Sequence, residues 1–399
     1  MLLVNDPSTV EVTKVACVRG DEASLPKLRK RIDDDLAGEA PVMLLAFTSS
    51  KIPLLPVLAM LEDAYPGAVV AGSSTSGEFT HEGDGSGSIS LFALSGDYKI
   101  FSGIGAGLST DPERTVTAAL AGQPTEVSGY PHRTGIVLLD PLAGHGEEAA
   151  LILANQLGDA PLVGGAAGDD LAMAKTWVGV GSRVLSDAIA VLTIFSRVKL
   201  GIGVKHGHLP LSKQLTVTRT DGSVVLEIDH RPAWDVWLEN TKLRATDLGI
   251  DPNENPGAYL LRFEAGLRVG HEYKVRAPLA PKPHGGILFA TSMPEGSVFQ
   301  IMESDSSAQV DSAVAAARAA HLGLGGARVA GALVFDCICR KLILGDGFAP
   351  MIARVAEELG NVPLAGFETY GEIAMNSGDM SGFHNTTSVV LAFPRDQES

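Results

Sequence analysis

Residues 71–79 read AGSSTSGEF, and residues 365–373, near the other end of the chain, read AGFETYGEI. Both segments begin with Ala-Gly and end with Thr-x-Gly-Glu and an apolar residue at the same internal spacing. Each follows a short apolar run that is typical of a buried strand. A loop that recurs in one setting indicates duplication of a supersecondary unit, so this repeat decides the predicted fold.

The segments around the two loops share one predicted order of elements, which is strand, helix, strand, loop and strand. A looser third copy lies between them, with the loop GAAGDD at 165–170 and Asp169 as the carboxylate after the glycine. Apolar alternation and helical spacing predict strands 41–49, 68–72 and 89–94 with helix 54–64 in the first copy, strands 135–140, 161–164 and 188–194 with helix 147–157 in the middle copy, and strands 331–336, 363–366 and 387–393 with helix 351–359 in the last copy.

This repetition predicts a mixed α/β protein with partly antiparallel sheets flanked by helices and with pseudo-symmetry between its units. The segment 240–256 is polar and rich in turn residues. It predicts a boundary between an N-terminal module at 1–240 and a C-terminal module at 241–399.

The two sides of that boundary carry further predictions. Residues 232–239 (PAWDVWLE) predict a short amphipathic helix with Trp234 and Trp237 in the core. Residues 259–264 predict the first strand of the second module.

Composition indicates a folded protein. The chain has 399 residues, 45% hydrophobic and 20% charged, which suits two or three globular domains. Its net charge of −16 disfavours nucleic acid as a partner. The N-terminal MLLVNDPSTVEV lacks the pattern of a secretory signal, and no apolar run approaches the roughly 20 residues of a membrane span. We therefore expect a cytoplasmic protein without membrane insertion.

Cysteine usage predicts no disulfide framework, because only Cys17, Cys337 and Cys339 occur. Alternation would place the sulfur atoms of Cys337 and Cys339 on one face of a strand. Two small core residues are favoured over a metal or redox pair.

The common catalytic motifs are absent from the sequence. It has no G-x-G-x-x-G, G-x-x-x-x-G-K-[ST], H-E-x-x-H or G-x-S-x-G. Gly103, Gly105 and Gly107 have the wrong spacing for a dinucleotide loop and predict a strand closely approached by another backbone. No nucleophile is identified, so an unrecognised enzyme stays an alternative rather than the main hypothesis.

The repeated Thr-x-Gly-Glu has two interpretations. Glycine can supply a backbone angle closed to other residues, while the hydroxyl and carboxylate bind a ligand amine. Alternatively, the loop is a tight turn whose Thr and Glu satisfy its own backbone amides. Recurrence does not separate the two, because duplication preserves structure as well as function.

Several motifs together resemble those of the FIST domain family. They are GSSTSGE at 72–78, GGAAGDD at 164–170, VTR at 217–219, VFDCICR at 334–340, PLAGFETYGEI at 363–373 and FHNTT at 383–387. The resemblance covers nearly the whole chain, as an N-terminal FIST module followed by a C-terminal one. The sequence departs from the family at Glu368, where a less acidic residue is common, and this leaves the ligand charge open.

The resemblance implies a sensory protein of signal transduction that binds a small polar metabolite such as an amino acid. Its signal would pass to a separate partner, such as a histidine kinase. The implied ligand-binding residues are Thr75, Gly77, Glu78, Asp169, Asp170, Arg340, Thr369, Tyr370, Gly371, Glu372, His384 and Asn385.

An amino-acid ligand needs a carboxylate for its amine and a cation for its acid group. Glu372 and Arg340 are the candidates, provided that the fold brings them together. The alternative for Arg340 is a surface ion pair that contributes little.

Some members of the family resemble haem-binding nitric oxide sensors, so haem is the alternative to a chain without a cofactor. An axial ligand would come from a histidine in an apolar pocket. The available histidines are His206, His208, His271, His321 and His384. The chain has no haem attachment motif, and no metal site is predicted.

Overall fold

The computed structural model describes residues 12–375 and 382–396. The N-terminal segment 1–12, from which we predicted the absence of a secretory signal, lies outside this range except for residue 12. Within it, no helix is both long and apolar enough to cross a lipid bilayer.

The first repeated unit confirms the predicted order of elements and adds a strand and a helix before it. The predicted helix 54–64 matches its observed bounds, whereas the strand predicted at 68–72 continues three residues into the repeated loop. The elements are β1 Lys14–Gly20, α1 Leu25–Asp35, β2 Met43–Ser49, α2 Leu54–Ala64, β3 Val69–Thr75, β4 Glu78–Thr80, β5 Gly83–Gly85 and β6 Ile89–Ser95.

The middle unit repeats this order. Helix α3 begins where the Asp111 side chain accepts a hydrogen bond from the amide of Arg114 at 2.9 Å, which is a standard N-terminal cap. The elements are β7 Lys99–Ala106, α3 Pro112–Leu120, β8 His132–Leu139, α4 Gly146–Leu157, β9 Leu162–Ala166, β10 Val178–Val180, β11 Arg183–Leu185 and β12 Ala188–Ser196.

The third unit is interrupted after its first strand by a β-rich insertion. The first strand and the insertion are β13 Gly201–His206, β14 Leu209–Pro210, β15 Leu215–Asp221, β16 Val224–Ile228, β17 Arg231–Pro232, α5 Ala233–Asp247, α6 Pro256–Arg262, β18 Phe263–Val269, β19 Glu272–Arg276, β20 Pro278–Lys282, β21 Gly286–Phe289 and β22 Val298–Glu303. The unit then continues with α7 Ser306–Gly323, β23 Val329–Cys337, α8 Ile338–Leu344, α9 Phe348–Glu358, β24 Leu364–Thr369, β25 Glu372–Met375, β26 Gly382–His384 and β27 Thr387–Pro394.

Three six-stranded sheets have equivalent strand orders, namely β1-β6-β2-β3-β10-β11, β7-β12-β8-β9-β25-β26 and β13-β27-β23-β24-β4-β5. In each sheet, one central pair of strands is parallel and the other pairs are antiparallel. The last two strands of every sheet form a hairpin that comes from a different unit. The three units therefore exchange hairpins in a cycle, and the predicted mixed α/β fold with pseudo-symmetry is confirmed.

The common core lies where the three sheets face one another. Phe47, Leu138 and Phe335, one from each sheet, belong to the same buried cluster. The rings of Phe47 and Phe367 stack with centroids 4.6 Å apart, which joins the first sheet to the third. Burial of these apolar side chains stabilises the packing of the three units against one another.

The glycines of β7 act as predicted. A Cβ atom on Gly103 would lie 2.2 Å from the carbonyl oxygen of Ala119, and one on Gly105 would lie 1.9 Å from that of Thr115. Both carbonyls belong to α3, so the absence of side chains lets this helix pack directly on the strand.

The insertion corrects two predicted elements. The strand predicted at 259–264 is wrong, because residues up to Arg262 form α6 and the strand starts at Phe263. The Asn255 side chain caps this helix by accepting a hydrogen bond from the Ala258 amide, and Pro256 suits its first position. The helix predicted at 232–239 extends to Asp247, through part of the segment expected to be a boundary.

Of the two tryptophans predicted to lie in the core, Trp237 is fully buried against Phe289 and Phe299, whereas Trp234 is only half-buried and packs against the same cluster. The prediction for Cys337 and Cys339 was partly wrong. The strand ends at Cys337, and Cys339 lies in α8, so the two residues do not share a strand face.

Candidate functional site

The three repeated loops meet one another, and main-chain hydrogen bonds join each loop to the next. Two bonds link each of the three pairs, so the contacts form a closed cycle; we call this the loop junction. The bonds run from Ser76 N to Glu368 O (3.2 Å), Glu368 N to Gly77 O (2.8 Å), Tyr370 N to Ala166 O (3.1 Å), Ala166 N to Gly371 O (2.7 Å), Gly168 N to Ser74 O (3.0 Å) and Asp170 N to Thr75 O (3.2 Å).

The Thr and Glu of the first loop bind within their own unit. The Thr75 hydroxyl donates to Oε1 of Glu78. The other carboxylate oxygen of Glu78 accepts from the amide and hydroxyl of Ser88, at 3.0 and 2.8 Å. Glu78 is fully buried, and burial raises its pKa to about 7 against the opposing effect of these donors.

The last loop repeats this arrangement. The Thr369 hydroxyl donates to Oε1 of Glu372, whose Oε2 accepts from the amide of Thr387 at 3.1 Å. Burial, the main cause, raises the pKa of Glu372 well above its ordinary value. In both copies the carboxyl group fastens the loop to the strand that follows it.

In the middle unit a different residue connects the unit to its last strand. Asp140, at the end of β8, accepts hydrogen bonds from the amide of Asp187 at 2.7 Å and from the hydroxyl of Thr176 at 2.5 Å. Asp187 directly precedes β12, just as Ser88 directly precedes β6. In this unit Asp169, the carboxylate that follows the glycine of the loop, therefore makes different contacts.

Asp169 and Asp170 order the segment between β9 and β10. Asp169 accepts bonds from three successive amides, Met173, Ala174 and Lys175, at 2.9, 2.6 and 2.9 Å. The Tyr370 hydroxyl also donates to Asp169, at 2.5 Å. Despite the opposing effect of burial, these donors hold the pKa of Asp169 below its ordinary value.

Asp170 accepts hydrogen bonds from the hydroxyls of Ser49 and Ser50, at 2.9 and 2.6 Å. It thereby connects the middle loop to the end of β2. Its backbone is left-handed, with φ of 54°, which is uncommon for a residue other than glycine.

The glycines of the two loops serve close approach rather than a special backbone angle. Neither Gly77 nor Gly371 is among the residues with positive φ. A Cβ atom on Gly77 would lie 2.4 Å from the Glu368 carboxyl carbon, and one on Gly371 would lie 2.2 Å from the ring of Phe383. The expectation of a glycine-only angle at these positions was wrong.

Arg340 is not a surface residue, because its side chain is fully buried. Its Nε donates to Asp336 at 2.8 Å, and its other nitrogens donate to the Gln309 side chain, the Gln309 carbonyl, Ser312 and the Met351 sulfur. The alternative of a weak surface ion pair is therefore wrong. Arg340 and Glu372 are engaged by different partners.

A second concentration of polar side chains lies where the insertion meets β13 and the β25–β26 hairpin. We call it the buried histidine cluster and define it as His206, His208, Glu264, Arg276 and His384. His208 Nε2 lies 3.7 Å from Glu264 Oε2, and neither side chain is exposed. The rings of His206 and His208 have centroids 6.0 Å apart.

Seven buried polar atoms of this cluster make no hydrogen bond of standard geometry with the residues that the structure describes, although the Tyr273 and Ala374 backbones lie close enough to His206 and His384 to oppose the lowering of their pKa. They are Nδ1 and Nε2 of His208, Nδ1 and Nε2 of His384, Nε2 of His206, Oε2 of Glu264 and Nε of Arg276. Buried polar groups in folded proteins are almost always paired with protein or water. Ordered water or a bound molecule would be needed to satisfy these atoms.

The hydrogen bonds around the cluster hold the insertion against the hairpin. Arg276 donates to the Phe383 carbonyl at 2.7 Å and to the Glu147 carboxylate at 2.5 Å. Asn385 Oδ1 accepts from the amide of Ala277 and the hydroxyl of Thr291, both at 3.3 Å. The residues around the cluster thus come from segments far apart in sequence.

Burial shifts the titration of the cluster towards neutral side chains. It is the main cause that lowers the pKa of His384 to about 3, that of His206 to about 4 and that of His208 well below its ordinary value. It also raises the pKa of Glu264 to about 8, with a smaller contribution from Glu372. Each of these pKa shifts favours the neutral form of its side chain.

The residues proposed from the sequence therefore lie in three different places in the structure. Nine of them meet at the loop junction, Arg340 belongs to a separate buried ion pair, and His384 and Asn385 lie at the histidine cluster. His384 and Glu372 are opposite each other in the β25–β26 pairing, so the two regions adjoin.

Glu264 and Arg276 were missed by sequence reasoning, and His206 and His208 were considered only as haem ligands. The available signals were two histidines spaced two apart at the end of a strand and a glutamate beside apolar residues at 263–266. Within the described ranges, no group of three or more His, Cys, Asp or Glu residues is arranged to hold a metal ion.

The fold and the loop junction define an α/β protein built from three related units, and two family models match its sequence. A model described as the FIST N domain matches residues 42–231, and one described as the FIST C domain matches residues 233–375. The chain belongs to the FIST family. FIST domains are associated with small-ligand sensing in signal transduction.

The curated relatives are uncharacterised proteins. One from Methanocaldococcus jannaschii is 26% identical over 188 residues, which cover 45% of this chain and 36% of that protein. Others from Mycobacterium bovis and Mycobacterium tuberculosis are 29% identical over 210 residues, covering 49% of this chain and 50% of each relative. The chain spans between about a third and a half of the length of these relatives.

Among solved structures, cyanuric acid hydrolase from A. caulinodans aligns over 96% of this chain and 99% of its own, at 10% identity. The TM-score is 0.31.

Proposed function

We propose that this protein is a cytoplasmic sensor that binds a small polar molecule at the buried histidine cluster. The observation that carries the proposal is the set of seven buried polar atoms without partners. A ligand that fills this site would supply hydrogen bonds that the folded chain lacks. The association of FIST domains with ligand sensing supports the same function.

The residues proposed from the sequence take different parts in this function. His384 and Asn385 would contact the ligand. Glu372 would transmit binding to the loop junction, because it pairs with His384 across the hairpin and fastens the last loop through Thr369. Direct ligand contacts by the other loop residues stay a prediction.

The output of the sensor would pass to a separate signalling protein, such as a histidine kinase. A charge of −16 makes nucleic acid an unsuitable partner. The loop junction is a suitable relay, since it connects all three units through main-chain hydrogen bonds.

Native mass spectrometry of the freshly purified protein, with a visible spectrum of the same sample, tests this function. We expect a bound mass of a few hundred daltons or less that is lost from His208→Gln and retained by His132→Gln, a histidine outside the cluster. Haem mass with a Soret band would replace the metabolite sensor with a gas sensor. A bound molecule that His208→Gln retains, or an empty protein that no metabolite extract stabilises, would contradict the proposed site.

A further inference from the structure

Two cations at the edge of the histidine cluster share a single carboxylate. The carboxylate of Glu147 lies 2.5 Å from a terminal nitrogen of Arg276 and 3.4 Å from Nζ of Lys274. Neither cation forms an ion pair with another carboxylate in the part of the chain that the structure describes. Two positive charges therefore face one negative charge at this edge.

The guanidinium group of Arg276 has hydrogen bonds left to make. It carries five N–H donors in a planar fork. One terminal nitrogen donates to the Phe383 carbonyl at 2.7 Å and the other donates to Glu147 at 2.5 Å, which uses one N–H of each. Nε is buried and makes no hydrogen bond with the described residues. Three N–H groups of a cation with 2% side-chain exposure are thus available to a ligand.

The other buried carboxyl groups of this region are bound elsewhere. Glu264 accepts a hydrogen bond from a threonine hydroxyl at 2.8 Å. Glu372 accepts from a second threonine hydroxyl and from a backbone amide. Among the described residues, neither acid forms an ion pair with Lys274 or Arg276. Glu147 alone therefore faces the two cations directly.

The two cations lie between the buried cluster and the protein surface. Side-chain exposure rises from 2% for Arg276 to 14% for Lys274 and 25% for Glu147, so this group of charges reaches solvent on one side. On the other side, a Cβ atom on Gly382 would lie 2.3 Å from Nζ of Lys274. The ammonium group therefore packs against the β26 backbone, two residues from His384. A molecule bound here would contact both the cations and the cluster.

An anion is the partner that completes these interactions. Oxyanions accept short, charge-assisted hydrogen bonds, and the guanidinium fork matches the planar carboxylate group. An uncharged molecule would leave the second cation without a counter-charge in a largely buried position, which is costly. A cation would add a third positive charge next to the two already present.

We infer that Arg276 and Lys274 bind an acidic group, such as a carboxylate, on the ligand that enters the histidine cluster. This inference rests on the proposed function and names the chemical group that the site recognises. It assigns to Arg276 and Lys274 the part that the sequence had suggested for Arg340.

Calorimetry and ligand-observed NMR on the full chain test this inference with two pairs of probes, acetate with acetamide and benzoate with benzamide. The members of each pair have nearly the same shape, and only the acid carries a charge. We expect at least one acid to show saturable binding and its amide to bind about tenfold more weakly or not at all.

Lys274→Met should weaken the bound acid by about tenfold or more and reduce its advantage over the amide, because the variant loses one cation. Lys205→Met is the matched control, since it breaks a more exposed lysine pair with Glu272. It should bind the acid as the wild type does. Arg276→Lys keeps the charge but loses the planar fork, and it should also weaken the acid. If Arg276→Lys fails to fold, the comparison of Lys274→Met with Lys205→Met tests the inference by itself.

The outcomes separate this inference from the function on which it rests. Equal binding of an acid and its amide, with a co-purified molecule that His208→Gln loses, would overturn the acidic group and leave the sensor site standing. Acid binding that neither Lys274→Met nor His208→Gln changes would count against the site itself. Failure of both acids to bind the wild type would overturn the inference, as would equal weakening by Lys274→Met and Lys205→Met.

Discussion

His208 Nε2 and Glu264 Oε2 lie 3.7 Å apart in the interior of the protein, slightly too far for a hydrogen bond. The two residues come from β-rich segments on either side of a helical region, so only the tertiary fold brings them together. Burial favours the neutral form of both side chains, because it lowers the pKa of His208 and raises that of Glu264. We therefore expect this pair to make the stability of the protein depend on pH.

Glu264→Gln should remove part of that sensitivity. Burial raises the pKa of Glu264 from 4.5 to about 8. Between these two pKa values the folded protein keeps a proton that the unfolded chain releases. The resulting stabilisation is fully present below about pH 4.5 and is lost as the pH rises through about 8. Relative to Glu264→Gln, the wild type should therefore lose free energy of unfolding, on the order of a few kcal/mol, between about pH 5 and pH 8.5.

Urea unfolding across this pH interval measures the effect. Glu126→Gln, which changes an exposed glutamate, is the control and should follow the wild type. Parallel curves for wild type and Glu264→Gln would show that Glu264 does not change its ionisation on folding.

The two Thr–Glu pairs should be equivalent in stability. Thr75→Val and Thr369→Val keep the shape of the side chain but remove the donor to a buried glutamate. Loss of a hydrogen-bond partner at a buried group costs about 1–3 kcal/mol. We expect both variants to lower the urea midpoint by similar amounts, while Thr125→Val, at an exposed position, leaves it unchanged. A large effect at only one site would mean that the two loops have diverged in role.

The sequence predicted the units but not the exchange between them. Local apolar patterns correctly located β2, α2, β6 and β27, because each pattern reports which face of its own element is buried. Nothing local specifies that the β4–β5 hairpin pairs with β24, whose residues lie 285 to 289 positions further along the chain (365 − 80 and 367 − 78). Such pairing depends on how complete units pack around the common core.

The candidate functional site was also only partly predictable from the sequence. The two Thr-x-Gly-Glu loops were recognisable because the motif occurs twice, but the sequence did not predict that the three loops bond to one another. The histidine cluster takes single residues from β13, β18, β19 and β26 and from the segment after β13, and a lone histidine in a sequence is usually structural. Its burial, which gives it its chemistry, arises only after the insertion folds against the third unit.

Arg340→Met should destabilise the protein without acting through a ligand. The substitution leaves Asp336 buried without its cation, and removal of one partner from a buried ion pair costs about 3–5 kcal/mol. The double variant Asp336→Asn with Arg340→Met removes both charges and should recover part of this loss. Urea unfolding measures the stability, and calorimetry with the bound probe tests binding in whichever variant folds. Retained affinity in the folded double variant would exclude Arg340 from ligand contact, and lost affinity would restore it to the site.

One glycine in each unit should be intolerant of substitution at an equivalent place. A Cβ atom on Gly72, Gly164 or Gly366 would lie 2.1, 1.9 or 2.0 Å from a carbonyl oxygen of the neighbouring parallel strand. Because that oxygen belongs to a buried backbone, the contact is relieved only by moving the strands apart.

We therefore expect Gly72→Ala, Gly164→Ala and Gly366→Ala each to reduce the free energy of unfolding by roughly 1–3 kcal/mol, the usual cost of overpacking. Amide exchange should quicken in the parallel strand pair of the altered unit. Gly257→Ala is the control, since its new Cβ atom would meet only Asn255 Oδ1, at 3.7 Å. If the loops form one cooperative junction, exchange should also quicken in the loops of the other two units. Amide exchange that quickens only in the altered unit would show instead that the three units open independently. In that case the loop junction could not relay binding at the histidine cluster to the rest of the protein.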